Sequence, residues 1–291
     1  MNRKIKLLIM GLQLLSFISC KNEVENSGLV KVKGYDGTVV IEGSNVFTEG
    51  NEIAISDLLV CDHEVTQKEY ETYCEYGQNR PDNYGRGADF PAYYVSWYDA
   101  IVYCNLRSMK EGLCPVYCMG VWADTNPTEW EGIEDVEVYS GNKFQLKYRG
   151  PEGTNSDWDA RIFADPDANG YRLPTEAEWE YIARGGTLLS TDKYSGTDSD
   201  DELTDYAWTD SNSNGKAHKV KGKKANALGI YDMSGNVEEW CYDWSTKNQY
   251  RVKRGGSFND ANDYCSVTSK TGAAPYVRSN SIGFRVVRSA D

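Results

Sequence analysis

The chain has 291 residues, enough for one large domain or two small ones, and its 40% hydrophobic content can build a core. A formal net charge of −13 at neutral pH makes the surface repel phosphate backbones and anionic bilayers, which excludes nucleic-acid binding and electrostatic membrane adhesion. With 27 Gly, 21 Tyr and 8 Trp and no long heptad pattern, the composition predicts a loop-rich fold held by aromatic clusters.

At the N-terminus Arg3, Lys4 and Lys6 precede an apolar run from Leu7 to Ile18, of signal-peptide length and too short to span a bilayer. Phe17-Ile18-Ser19-Cys20 then resembles the lipobox of bacterial lipoproteins, which implies cleavage after Ser19 and lipidation of Cys20. Residues 1–19 are expected to be a lipoprotein signal peptide, 20–37 a lipid anchor and polar tether, and 38–291 the folded domain. Removing three cations takes the mature charge to −16, so acyl chains are the expected attachment to the cell envelope, at the outer membrane.

Folded sequence opens with strands expected at Thr38-Val39-Val40-Ile41 and Ile53-Ala54-Ile55, around a turn at Thr48-Glu49-Gly50-Asn51. Three helix starts carry a capping box, in which a Ser or Thr and an acid three residues later satisfy each other's backbone N–H: Thr66 with Glu69, Ser96 with Asp99, and Thr175 with Glu178. Gly185-Gly186 closes the last of these helices. Between Gly112 and Gly170 lies an irregular insert with strand-like runs at Val136–Tyr139 and Phe144–Tyr148, and Ser190 to Asp205 reads as an acidic surface loop.

Besides Cys20 there are Cys61, Cys74, Cys104, Cys114, Cys118, Cys241 and Cys265, an odd number that leaves at least one thiol unpaired within a chain. Cys114 and Cys118 lack a nearby second Cys or His pair and are expected as a local bridge or two packed thiols rather than a metal site. His63 and His218, the only two histidines, are expected to be hydrogen-bonded or surface residues. No phosphate-cradling glycine loop and no nucleophile elbow is present.

Six motifs occur in order: Glu64-Val65-Thr66-Gln67, Val95-Ser96-Trp97-Tyr98-Asp99-Ala100, Gly170-Tyr171-Arg172-Leu173-Pro174-Thr175-Glu176-Ala177-Glu178-Trp179-Glu180, the segment Asn226 to Val237, Arg254-Gly255-Gly256-Ser257, and Gly283-Phe284-Arg285. Together they resemble the formylglycine-generating enzyme (sulfatase-modifying factor) family over residues 38 to 288. The resemblance implies an α+β, loop-rich fold related to C-type lectins, with Trp97, Trp179 and Trp240 as core aromatics. It also implies a structural calcium held by Asp232, the Gly235 and Val237 carbonyls, and Glu239, a hard oxygen set suited to that ion.

The family's oxidase uses two cysteines that bind copper after the Arg-Gly-Gly-Ser motif. By position the first is Asp260 here and the second Cys265, preceded by the matching Tyr264, while Ser257 remains of the polar site residues. Glu238 stands where an aromatic residue is usual, and Ser266-Val267-Thr268-Ser269 replaces a stretch that usually contains Arg. Copper is therefore not expected. The reading is a non-catalytic binding or scaffolding module, partnered by an exported protein or a glycan. The alternative is a copper oxidase generating formylglycine in exported sulfatases through Cys265, and sugar recognition through the calcium loop is a third possibility by fold kinship alone.

Overall fold

A computed structural model describes residues 28–38, 44, 46–47, 51–76, 80–120, 123–140, 143–151, 158 and 161–290. Cys20, the signal peptide and the expected strand residues 39–41 lie outside them. Among the described residues no helix is long and apolar enough to cross a membrane.

The helices begin where the capping signals place them. Helix α1 (Gln67–Tyr73), α2 (Trp97–Lys110) and α3 (Glu176–Ala183) each have the reciprocal box closed, at Thr66 with Glu69, Ser96 with Asp99, and Thr175 with Glu178. Each of these acids also receives a basic partner from elsewhere. Glu69 faces His63 Nε2 at 3.3 Å, Asp99 takes both Nε and Nη2 of Arg278 at 2.8 and 2.9 Å, and Glu178 takes both Nη groups of Arg172 at 2.6 and 2.7 Å. The helix start is thus also a tertiary clamp. A one-turn helix, α4 (Leu203–Tyr206), follows later in the chain.

Strands β1 (Leu29–Val32), β2 (Tyr35–Thr38), β3 (Glu52–Ile55) and β4 (Leu58–Cys61) open the fold. Strand β1 corrects the expected tether: residues 29–32 pair with β4, and Val32 is buried. Its signal was hidden because four residues flanked by glycines and interrupted by Lys31 carry too little alternation to stand out. The insert supplies β5 (Tyr117–Met119), β6 (Glu134–Ser140), β7 (Lys143–Arg149) and β8 (Ile162–Ala164), with β6 and β7 forming the hairpin that the two strand-like runs imply. Then come β9 (Glu238–Thr246), β10 (Tyr250–Arg254), β11 (Lys270–Ala273), β12 (Ile282–Gly283) and β13 (Val287–Ser289).

Two sheets matter most. One has the order β1-β4-β13 and the other β11-β10-β9-β12, antiparallel except for the β9–β12 pair. A core around α2 packs Trp97, Tyr98, Tyr103, Trp158 and Trp240, and a second around α3 packs Trp179, Ile182, Met233 and Val252. The expected aromatic core residues Trp97, Trp179 and Trp240 are all fully enclosed.

Helix α3 docks on β10 through charge as well as apolar contact. Glu180, with no exposed surface, takes Arg184 from its own helix at 2.9 Å and Arg254 from β10 at 2.7 Å. The stretch expected as a surface loop is partly interior, with Tyr194, Ser195 and Thr197 buried against the end of α3. None of the seven described cysteines is in a disulfide; Cys114 is exposed and Cys118 buried, so they are neither a bridge nor a packed pair.

Candidate functional site

Strand β9 determines which acid faces which chemistry, because successive side chains on a strand point to opposite sides. Glu239 is buried and receives Trp179 Nε1 at 2.7 Å together with Arg285 Nε and Nη2 at 2.7 and 2.6 Å. Arg285 extends the link to the Cys61 and Tyr231 carbonyls at 3.2 and 2.9 Å. Glu238 instead joins Lys253 of β10 and the Thr271 hydroxyl of β11 by short hydrogen bonds. A polar trio therefore sits where an aromatic side chain is usual in the resemblance.

The expected calcium loop is tightly coiled. Asp232, Gly235 and Asn236 have φ of 58°, 75° and 60°, the left-handed region that costs a side chain energy except where the loop demands it. A Cβ on Gly235 would come within 2.2 Å of the Trp208 carbonyl oxygen, so only glycine fits there. The buried Glu64 carboxylate ties the loop down, accepting from Val237 N at 3.1 Å and Asn236 Nδ2 at 2.6 Å. Burial, with Asp232 and Glu239 nearby, holds the Glu64 carboxyl well above the usual range. Burial likewise pushes Asp232 up to about 6.

Lys221 N donates to Asp232 Oδ2 at 2.7 Å. Of the roughly four acceptor positions of a carboxylate, Glu239 has three filled by Trp179 and Arg285. Both acids thus keep acceptor capacity for a hard cation. Burial and mutual repulsion disfavour the charged forms of Glu64 and Asp232 beside Glu239, and a divalent ion held there would favour the ionised carboxylates. The residues fit calcium in donor type and in charge.

The neighbouring loop carries the matched oxidase positions. It is stitched to the first by Gly235 N donating to the Gly255 carbonyl and Phe258 N to the Asn236 carbonyl, both at 2.8 Å. Ser257 Oγ donates to Asp260 Oδ2 at 2.6 Å. Cys265 is wholly buried, its Sγ 3.9 Å from the Ser257 carbonyl oxygen, and a Cβ on Gly256 would meet that sulfur at 2.7 Å. Burial, then the charges of Asp260, Asp210 and Glu238, push the thiol up to about 12, so it is protonated at neutral pH.

A cavity of about 20 Å³, the room of a single water, is lined by Glu238, Lys253, Arg254, Asp260, Tyr264 and Lys270 among others. Tyr264 is 59% exposed at its rim. The structure thus brings Asp260, Tyr264 and Glu238 together and leaves Cys265 walled off behind them. Lys253, Lys270 and Thr271 escaped the sequence reading because each is an ordinary polar strand residue until β9 and β10 are paired.

His63 forms a separate cluster with Cys61 and Asp62, whose ligand-type atoms lie within 4.8 Å of one another. Its Nδ1 makes a short hydrogen bond to Asp62 Oδ1 and lies 3.8 Å from Cys61 Sγ, while Nε2 faces Glu69. Lys221 Nζ holds the other Asp62 oxygen at 2.6 Å. Burial alone would lower the imidazole, but its bonds to Asp62, Cys61 and Glu69 raise it to about 12, and the same contact brings Glu69 down to about 2. The cluster is a hydrogen-bonded clamp in which His63 ties Asp62 to Glu69. His218 stacks on Trp208 at 3.8 Å between ring centroids.

Residues 21–290 match the sulfatase-modifying factor enzyme 1-like domain family. The chain is 35% identical over 283 residues to the chaperone protein LppX of Paenibacillus barcinonensis, covering 87% of this chain and 90% of that protein. It is 32% identical over 189 residues to the formylglycine-generating enzyme of Streptomyces coelicolor, covering 50% of this chain and 59% of that one. Among solved structures it resembles Treponema denticola variable protein 1, with a TM-score of 0.71 and 32% identity, covering 89% of this chain and 94% of that chain.

The His63 clamp gives a pH signature. Raised above its unfolded value, His63 contributes stability fully below about pH 6.5 and loses it as pH climbs towards about 12. Glu69, lowered, contributes above about pH 4.5 and loses its share as pH falls towards about 2. His63→Ala should therefore cost about 2 kcal/mol in urea denaturation near pH 6, and the gap between variant and wild type should narrow at pH values above that. A gap that is constant across pH would show that His63 acts through packing alone.

Proposed function

The chain belongs to the sulfatase-modifying factor enzyme 1-like family, and we propose that it is a non-catalytic binding or scaffolding member carried in the bacterial cell envelope by a lipid on Cys20. One observation carries the non-catalytic reading. Where two copper thiolates are expected, the loop offers the Asp260 carboxylate and a Cys265 thiol kept protonated by burial and three neighbouring acids. A soft monovalent copper ion prefers thiolate sulfur and is poorly served by a hard carboxylate and a neutral thiol.

The groove is changed as well. Glu238, Lys253 and Thr271 satisfy one another, so their charges are not presented to a peptide as free partners. The similarity to a protein named as a chaperone, over most of both chains, supports an exported protein as the partner ahead of a glycan. In the same reading calcium is a structural cofactor held by Asp232, Glu239 and the Gly235 and Val237 carbonyls, where it would neutralise buried acids.

Four measurements test this. Mass spectrometry of a sulfatase-type cysteine peptide incubated with copper-loaded protein and oxygen should find no aldehyde product; turnover that vanishes in Cys265→Ser would restore the oxidase. In parallel, the protein should reduce light scattering from a secreted enzyme diluted out of denaturant. Chelation should lower the wild-type melting temperature and leave Asp232→Ala unaffected, since a ligand bound only to the folded state stabilises it by mass action; identical wild-type curves with and without chelator would remove calcium. Cys20→Ser should move the protein from the membrane to the soluble fraction, and continued labelling by a palmitate analogue would refute the anchor.

A further inference from the structure

A second, larger cavity lies at the C-terminal end of α3, sharing no lining residue with the Asp260 notch. It measures about 290 Å³ and is bounded by Arg184, Asp192, Gly196, Tyr206, Asn226 and Ala227. That volume is at the small end for ligand pockets, of a size for one small molecule. Its walls are polar groups, glycine backbone and alanine methyls, with no apolar floor for a hydrophobic ligand.

The polar groups divide into spent and free. Asn226 is consumed internally, its Nδ2 donating to the Ile182 carbonyl and Ser195 Oγ and its Oδ1 accepting from Leu228 N and Ile230 N. Arg184, only 6% exposed, gives Nε and one Nη2 hydrogen to Glu180 and one Nη1 hydrogen to the Ser190 carbonyl. A guanidinium has five N–H donors, so one remains on each Nη. Across the lining, Asp192 is half-buried, and no ion pair or side-chain hydrogen bond holds its carboxylate among the described residues.

The charge on Arg184 is not cancelled by its partner. Glu180 is shared between Arg184 and Arg254, and Glu176 between Arg254 and Lys270, so three cations meet two anions. Tyr206, the one aromatic in the lining, has the Lys224 ammonium 5.5 Å over its ring and Gly196 packed so close that a Cβ there would meet the ring at 2.7 Å. It is a poor platform for stacking a sugar. What the cavity offers is a fixed cation with two unspent N–H donors, and an anion with no side-chain partner among the described residues.

We propose that this pocket binds a small zwitterion of the α-amino-acid class, with its carboxylate on the unspent N–H donors of Arg184 and its ammonium on Asp192. Arg184 is pre-organised by Glu180 and suits a planar carboxylate. Asp192 supplies the charge that discriminates a zwitterion from a simple acid. This site is independent of the non-catalytic reading, since neither Asp260 nor Cys265 takes part.

The test is calorimetric titration with glycine, L-alanine, L-serine and L-glutamate, against propionate, ethylamine and glucose as controls. At least one amino acid should bind with Kd on the order of 1 mM. Asp192→Asn should weaken it about tenfold, and Ala227→Trp, at an exposed position on the rim, should abolish it without shifting the ligand-free melting temperature. The proposal fails if no amino acid binds, if propionate, ethylamine or glucose binds as well, or if Asp192→Asn binds like the wild type. Arg184 is left intact because its loss would strip Glu180 Oε1 of its partner in the core, leaving only the Arg254 contact on Oε2.

Discussion

The pairing of Glu239 with Arg285 is the constraint on which the rest of the site depends. A carboxylate with 1% of its side chain exposed and a guanidinium with none can coexist in this core only by satisfying each other. Their remaining bonds reach α3 through Trp179, the end of β4 through the Cys61 carbonyl, and the calcium-type loop through the Tyr231 carbonyl. These three parts of the chain are thereby fixed relative to one buried charge pair, which is the geometric accuracy a binding surface needs.

Because Glu239 faces inward, Glu238 faces the groove. The pleat that secures the core thus determines what stands at the family's active-site position, and a glutamate there recruits Lys253 and Thr271 into a self-contained polar set. In the proposed reading, the carboxylate at Asp260 and the ion pair at Glu238 act in the same direction, the first on copper affinity and the second on access. A single substitution at residue 260 would leave the second change in place.

What could be read from the sequence was local. The capping boxes at Thr66, Ser96 and Thr175 span three residues each and mark where α1, α2 and α3 begin. His63 and Arg172 lie close in sequence to Glu69 and Glu178 but outside any helical register that would mark the pairing. The basic partner of Asp99 could not be read, since Arg278 is 179 residues away and nothing in either neighbourhood marks the other. The same holds for Glu64, whose grip on Asn236 and Val237 spans 172 and 173 residues. Motif order supplied the family and the positions of Asp232, Glu239, Asp260 and Cys265. The cavity by Arg184 had no signature, because it arises from a helix end, a glycine and an alanine pair that each look unremarkable alone.

Strand β4 lies between β1 and β13, so its two edges are covered by segments from opposite ends of the chain. Until residues 287–289 arrive, one edge of β4 remains open, and until Arg285 arrives the Glu239 carboxylate has no counter-charge. A chain emerging from its N-terminus therefore cannot close its core by stages. An incomplete or clipped molecule is not a smaller version of this fold but an unsealed one, presenting a bare strand edge that a second chain can pair with.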